Sequence, residues 1–367
     1  MKAAFLANGP GEVWGWCRPL LLEAHRRKWD VDVHLLPCPY ASGRELEALA
    51  GLPADIFLHG SAWDALKCFS HKRHYDAVLQ LGGDLLFGRW LAWRQRAPLL
   101  CYSYGLKKGM KRCCKVLTSR RGLFSCENLE VVGDLVLDSI APAEESLWSA
   151  PQGKRVAVFP GSRPNIRRKV LPLLREVRGE IGKREPLVEL RVLLSPFAEP
   201  WETEQWQRAG FCTWTGETAS GIAGADLALT QPGTNNLELM YCEKPFMVLL
   251  PFSFLRELPL SGMVGMIDKI PWFGAALREK IIRAKIPQYI GKTSWPNRLA
   301  HRSVVPELIG DYSGDGIAEA VVSLLSDGEA RELQKRKFHE LASEVTPGAA
   351  ERICRIIEGV TAGYETK

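Results

Sequence analysis

The sequence predicts an α/β protein built from two doubly wound, mostly parallel sheets. Three observations carry this reading. Short apolar runs alternate with longer amphipathic stretches along the first half, the pattern of a parallel sheet covered on both faces. A stretch rich in Pro, Gly and polar residues then interrupts the pattern at 141–154. After it the same alternation restarts at Val156. At 367 residues the chain is long enough for two domains, read as 1–145 and 151–340 with a helical tail at 341–367.

In chain order, Lys2–Ala7 is the first strand. It meets a Gly-Pro-Gly turn after a few apolar residues, so it is not read as a secretory signal. Trp16–Lys28 is a helix, Val31–Pro37 a strand, Gly43–Ala50 a helix, Asp55–His59 a strand and Ala62–His71 a helix. Ala77–Leu81 is a strand ending in Gly82-Gly83-Asp84. Leu99–Tyr102, Lys115–Thr118 and Leu129–Val132 complete the strands of the first half. The second half offers strands at Val156–Phe159, Glu189–Leu194, Phe211–Thr215, Leu227–Thr230 and Phe246–Leu250. Helices fall at Arg168–Ile181, Trp201–Ala209 and Asn236–Cys242, and apolar spacing makes Ile317–Ile357 helical.

Composition narrows the function class. Hydrophobic content of 46% and charged content of 25% are those of a globular protein. A net charge of +6 is modest and does not point to nucleic acid. No run approaches the roughly 18 apolar residues of a membrane span. The ten cysteines form no Cys-x-x-Cys motif and have no His cluster in sequence beside them, so they read as reduced cytosolic thiols, with no metal site. Two stretches stand out. Seven Lys or Arg residues and no acid lie between Lys107 and Arg121, either a solvated face or a patch for anionic lipid. Phe252–Lys292 mixes apolar and basic residues, as core or as an amphipathic surface that dips into a bilayer.

The residues that carry chemistry gather at turns. Leu227–Thr230 runs into Gln231-Pro232-Gly233-Thr234-Asn235-Asn236-Leu237-Glu238. Gly233 permits close backbone approach, Thr234 and Asn235 are cap candidates, and Asn236 and Glu238 lie in the first helical turn. A helix N-terminus suits a phosphate, and a carboxylate beside it suits a ribose diol. Some 70 residues earlier, Pro160-Gly161-Ser162-Arg163 offers N–H groups at Gly161 and Ser162 and a fixed charge at Arg163. Each turn alone is a weak signal. As a pair at neighbouring strand ends they form a nucleotide cradle.

These motifs, in this order, resemble the lipid-A-disaccharide synthase family of GT-B glycosyltransferases. The resemblance rests on Asn8-Gly9-Pro10-Gly11-Glu12, Pro160–Arg163, Gly233–Glu238, and Pro296-Asn297-Arg298-Leu299 with Val305-Pro306-Glu307-Leu308. Two departures stand beside it. The family's opening turn continues Ser-Gly-Asp, where this chain has Val13-Trp14-Gly15-Trp16. Its mid-domain acidic motif is reduced here to Gly82-Gly83-Asp84. Both lie in the acceptor half.

The resemblance implies a GT-B fold: two Rossmann-like domains facing across a cleft, acceptor in the first and donor in the second, with the last helix returning to the first. It implies an inverting transferase that moves an acylated N-acetylglucosamine-type sugar from UDP to a glycolipid. The family's own pair is UDP-2,3-diacylglucosamine and 2,3-diacylglucosamine 1-phosphate. It also implies a cytoplasmic enzyme on the inner face of the inner membrane, with no cofactor and with an oligomer possible. Asn297 is a donor contact or a plain turn residue. The Asp30-Val31-Asp32 motif opens a strand and so lies away from the cleft, which leaves the diphosphate to Arg163, backbone N–H groups and the Gly233 helix. For the base, Asp84 and Glu12 each follow a glycine at a strand's carboxyl end; either could instead cap a helix. Trp14 and Trp16 are candidates to stack on a sugar or acyl chain. A UDP-sugar epimerase of the same fold and a non-catalytic nucleotide-sugar binder are the competing readings.

Overall fold

A computed structural model describes residues 1–39, 41–69, 73–142, 148, 153–252 and 291–365. The chain forms two compact units. One joins Met1–Ser139 to Glu344–Lys367, and the other is Ile140–Ser343. Residues 253–290, which hold nearly all of the apolar-plus-basic Phe252–Lys292 stretch, lie outside the described residues.

In the first unit, β1 (Lys2–Ala7), β2 (Asp30–Leu35), β3 (Asp55–Leu58), β4 (Ala77–Leu81), β5 (Leu99–Tyr102), β6 (Lys115–Thr118) and β7 (Leu129–Val131) make one sheet. Its order is β3-β2-β1-β4-β5-β6-β7, and every pairing is parallel. Strand β1 is apolar from Ala3 on because both its faces are covered; Ala4 to Ala7 are wholly buried. Register pins Phe5 between Val33 and Leu79. Strand order reverses between β1 and β4, which makes their carboxyl ends the switch point.

The second unit repeats the plan. Strands β8 (Arg155–Val158), β9 (Glu189–Leu194), β10 (Cys212–Thr215), β11 (Leu227–Thr230), β12 (Phe246–Pro251) and β13 (Glu307–Gly310) form a parallel sheet ordered β10-β9-β8-β11-β12-β13. Leu229 lies between Val158 and Met247. Here the reversal falls between β8 and β11. One core face joins Val170, Leu174, Val177 and Ile181 of the Pro164–Arg184 helix to Ile317, Val321 and Leu325.

Several elements differ from the sequence reading, which gives no strand at Glu307–Gly310 and no helix at Leu135–Ser139, Thr218–Ile222 or Trp295–Ala300. Nothing was expected between Asp84 and Leu99, yet Leu85–Gln95 is a helix. Leu85, Gly88, Leu91 and Ala92 face inward while Leu86, Trp90 and Trp93 are exposed, so apolar residues ring the helix and hide its period. The helix expected from Trp16 begins at Pro10, passes through a π-helical turn at Val13–Cys17, and continues as Arg18–Arg26. The tail is three helices, Gly314–Ser326, Gly328–Ser343 and Ala349–Glu365.

The last helix belongs to the first unit. It packs on Arg18–Arg26 and on Leu135–Ser139, with Ile353, Cys354 and Ile357 wholly buried. Asp138 caps it, accepting from Gly348 N and Ala350 N at 2.7 Å each. Arg27 pairs with Glu358 at 2.8 Å. These contacts fix the entry and the middle of the helix.

Candidate functional site

Each switch point carries a built pair of turns. In the first unit the loops after β1 and β4 interlock. Gly82 and Gly83 both adopt left-handed backbone, with φ of 63° and 61°. A Cβ on Gly82 would lie 2.1 Å from Glu12 Oε1, and one on Gly83 would lie 2.1 Å from Asn8 Oδ1. Only glycine satisfies both the conformation and the closeness. Glu12 Oε2 accepts from Gly9 N at 3.0 Å. Lys107 Nζ donates to the Gly83 carbonyl at 3.0 Å. Asn8 Oδ1 is buried and has no hydrogen-bond partner among the described residues.

Electrostatics at Glu12 pull in two directions. Burial pushes its carboxyl up; the N–H groups of Gly9, Asn8 and Gly83 and the Lys107 charge pull it down, and burial prevails. Trp16 lies on the same glycine, its ring edge 3.1 Å from where a Gly82 Cβ would stand. Trp16 is 7% exposed and stands edge-on to Tyr102 and Tyr104. Its Nε1 donates to Tyr104 OH at 3.2 Å, and that hydroxyl in turn donates to Asp134. Trp16 is therefore a wall of the first unit rather than an open stacking platform. Trp14 is half-buried under the Arg18 guanidinium, 4.3 Å from its ring centre. The π-helical turn that sets both tryptophans holds the residues that depart from the family's opening motif.

Asp84 is exposed and caps the Leu85–Gln95 helix, its Oδ1 accepting from Leu86 N at 2.9 Å. Asp30 and Asp32 open β2. Asp32 is buried in a network with Arg73 at 2.7 Å, Tyr75 at 2.6 Å and Lys2 at 3.4 Å. The absence of a His cluster beside the cysteines is a feature of the linear sequence alone. Folding brings His34, His59 and Cys68 to within 4.8 Å of one another, because β2 and β3 are neighbours.

In the second unit, Gln231 joins the two turns: its Nε2 donates to the Pro160 carbonyl at 2.9 Å. Gly161, at φ 99°, leaves room for the Gln231 amide, which a Cβ there would meet at 2.8 Å. Arg163 is the residue just before a 21-residue helix, with Pro164 at its first position. Ser162 and Arg163 are half-buried at that N-terminus. The Ser162 carbonyl is held by Arg167 Nη1 at 2.5 Å. Arg167 and Glu202 form a buried bidentate pair, 2.9 and 2.6 Å, with side chains 1% and 3% exposed. Burial would push Glu202 up, but the Arg167 hydrogen bonds and the Glu199 N–H outweigh it and hold the carboxyl below its ordinary range.

After Gly233, Thr234 caps the seven-residue Asn235–Tyr241 helix through its backbone. Asn236 is wholly buried and donates to the Gln231 carbonyl at 2.9 Å, while Glu238 is 9% exposed. Asn297 has its amide filled from within. Nδ2 donates to Val305 O and Glu307 Oε1 at 3.0 and 2.8 Å, and Oδ1 accepts from Val304 N and Val305 N at 2.6 and 2.9 Å. An amide with two donors and two acceptors so engaged holds its turn and has none left for a ligand. Glu307 is the hub of that turn: burial pushes it up, but the Ser294 and Thr293 hydrogen bonds hold it low.

The fold thus brings Glu12 to the Gly82–Asp84 turn, and Gly161–Arg163 to Gln231–Asn236. Sequence reasoning missed Gln231, Arg167 and the link from Lys107 to Gly83. Gln231 stood in the quoted motif, and Arg167 lies one helical turn beyond Arg163, but only the fold supplies their partners.

Comparisons with known proteins follow the same lines. A family model described as lipid-A-disaccharide synthetase matches residues 128–258, which include both turns of the second unit. The lipid-A-disaccharide synthase of Anaeromyxobacter sp. (strain K) is 27% identical over 227 residues, 60% of this chain and 53% of that protein. The chain therefore spans about half the length of the curated relatives it matches. Among solved structures, the calicheamicin glycosyltransferase CalG4 superposes with a TM-score of 0.60 at 15% identity, covering 98% of each chain. The UDP-GlcNAc 2-epimerase of Neisseria meningitidis, bound to UDP-GlcNAc, gives 0.58 at 13%, covering 98% of this chain and 100% of its own. At such identities the likeness is one of fold, and that fold is GT-B.

The Arg167–Glu202 pair yields a prediction. Arg167→Met strands a buried carboxylate and should cost about 3–5 kcal/mol in urea unfolding. Adding Glu202→Met should recover much of that loss, since both desolvated charges are then gone. A single variant as stable as the parent would show that the pair does not anchor the Ser162 turn.

Proposed function

We propose, for a chain that is a divergent relative of the lipid-A-disaccharide synthases, that it is a glycosyltransferase. It moves a sugar of the acylated N-acetylglucosamine type from UDP to a glycolipid acceptor, with inversion. The observation that carries this is the pair of turns at the β8/β11 switch point, tied by Gln231 to Pro160 within the span that matches the family. The diphosphate falls to the Ser162 and Arg163 N–H groups, the Arg163 charge and the positive end of the 21-residue helix. The seven-residue helix after Gly233 contributes N–H groups more than dipole. Glu238 takes the ribose hydroxyls.

Transfer makes a bond from the acceptor oxygen to the sugar's anomeric carbon, breaks the bond to UDP, and hands the acceptor proton to a base. Two carboxylates are candidates, and the geometry favours Glu12. Its pKa is raised by burial beside Gly82, and a carboxylate so placed is the stronger base. Asp84, exposed and engaged as a helix cap, is second.

The acceptor reading also calls for a membrane surface. No helix among the described residues is long and apolar enough to cross a bilayer. The basic run is mixed: Lys115 pairs with Glu130 and Arg120 is buried beside Glu344, leaving Lys108, Lys111, Arg112 and Arg121 exposed. A better docking face is the Leu85–Gln95 helix, with Leu86, Trp90 and Trp93 exposed at 57%, 39% and 67%. Arg89, Arg94, Arg96 and Arg112 border it around a groove of about 780 Å³. Apolar residues ringed by cations suit the headgroup region of an anionic membrane. The epimerase reading rests on fold alone and gives this face no work.

Three measurements test the proposal. UDP should bind in calorimetry, with excess chelator present, at about 4–8 kcal/mol. Glu238→Ala should weaken UDP far more than a sugar phosphate that lacks the nucleoside. If folded protein binds no UDP, the transferase reading fails.

Glu12→Gln should cut turnover by roughly 10²–10⁴-fold and leave UDP affinity intact. The base form is lost as pH falls through the raised pKa, so the acid limb of kcat/KM should lie above the ordinary value of 4.5. Asp84→Asn should retain turnover within tenfold; the opposite ranking would exchange the two assignments.

Sedimentation with anionic vesicles should be strong at low salt and weak at high salt. Trp90→Ser with Trp93→Ser should abolish it without lowering the melting temperature, because both rings are already exposed. Indifference of the parent protein to vesicles would exclude an interfacial enzyme.

A further inference from the structure

The first unit holds a second cluster of reactive side chains, away from the β1/β4 switch point. His34 lies on β2, His59 directly follows β3, and Cys68 ends the Ala62–Cys68 helix that comes next. His34 Nδ1 and His59 Nε2 are 3.1 Å apart, and one ligand atom from each of His34, His59 and Cys68 lies within 4.8 Å of the other two. Both imidazoles are buried, 1% and 5% exposed, and Cys68 is half-buried.

The surroundings fix which nitrogen faces the cluster. Tyr75 OH donates to Asp32 Oδ2 at 2.6 Å, so its oxygen is left to accept. His34 Nε2 lies 3.1 Å from that oxygen and therefore carries its proton there. The lone pair of His34 is then on Nδ1, pointing at His59. Asp32 is itself held by Arg73 and Lys2. This is the arrangement by which proteins orient a ligating histidine, an anchored acceptor on one nitrogen and the metal on the other. Phe57 stacks on His34 at 5.2 Å, and Phe69 stands edge-on to both rings at 5.1 and 5.8 Å. Burial keeps both imidazoles neutral, the form that binds metal.

We propose that His34 Nδ1, His59 Nε2 and Cys68 Sγ form a binding site for Zn²⁺ or a similar borderline divalent cation. Two nitrogens and one thiolate match zinc's ligand preference, and three protein ligands leave a fourth position for water. Without metal, His59 Nε2–H donates to His34 Nδ1. On binding, His59 shifts its proton to Nδ1, and the Cys68 thiol loses its proton to solvent. One proton is released and the site carries a net charge of +1. Nothing in the proposed sugar transfer uses these residues, so the site acts on the stability of the β2–β3 edge.

The test uses the full chain, stripped by chelator and titrated with Co²⁺ and then Zn²⁺. One equivalent of Co²⁺ should give tetrahedral absorption with a thiolate-to-cobalt charge-transfer band, displaced by Zn²⁺. Zn²⁺ should also raise the melting temperature, since it binds the folded form. Cys68→Ser should lose the charge-transfer band, and His59→Gln should lose the site. Tyr75→Phe keeps all three ligands and should weaken the metal by roughly 10–100-fold through the lost partner on His34. A parent protein that binds no equivalent of either ion overturns the proposal. So does a charge-transfer band of full strength in Cys68→Ser, which would put the metal on other cysteines. Equal affinity in Tyr75→Phe would overturn the assignment of Nδ1 as the ligand.

Discussion

The reversal of strand order between two neighbouring parallel strands is the constraint on which the rest depends. At β1/β4 and again at β8/β11 the chain leaves the sheet in opposite directions, so the loops diverge and open a crevice at the carboxyl ends. What fills each mouth differs. In the first unit the Glu12 carboxylate and the Asn8 amide occupy the space, and the opposing turn is two left-handed glycines, Gly82 yielding to the one and Gly83 to the other. In the second an amide bridges the mouth, and Gly161 yields to Gln231. One topology thus gives one unit a half-buried acid with a raised pKa and the other a pair of turns tied by an amide.

Much of this was legible in the sequence, for physical reasons. Parallel strands covered on both faces read as apolar runs, and turns that need left-handed backbone or close approach must carry glycine. Every strand but β13, and both switch-point turns, were therefore visible. What was hidden depends on partners far along the chain. Gln231 meets Pro160 across 71 positions, and His34 meets His59 across 25. No local pattern encodes such pairs. The Leu85–Gln95 helix escaped for another reason: it is apolar on its exposed side as well as its buried one. Asn297 was legible as a turn residue, but only the fold shows its amide filled from within.

The departure from the family's opening motif also gains a physical meaning. Val13–Cys17 is a π-helical turn, a geometry that rotates the following residues relative to a regular helix. It carries Trp16 inward against Tyr102 and Tyr104. The bulk that replaces the motif's small and acidic residues therefore packs into the first unit beside the glycine that faces Glu12.

Asp84 shows why position at a strand end does not by itself make a catalytic group. Its carboxylate already satisfies the first turn of the helix that presents Leu86, Trp90 and Trp93. Removing the side chain would loosen that helix by about 1 kcal/mol and disturb the face it carries. Asparagine caps as well as aspartate does, so Asp84→Asn removes the charge and keeps the helix. Glu12 also caps a helix, accepting from Gly9 N where the chain enters the run from Pro10 to Arg26; what sets it apart is that burial raises its pKa. Between two acids at neighbouring strand ends, the one whose environment raises its pKa is suited to take a proton, and the one whose environment uses its charge is suited to hold a helix.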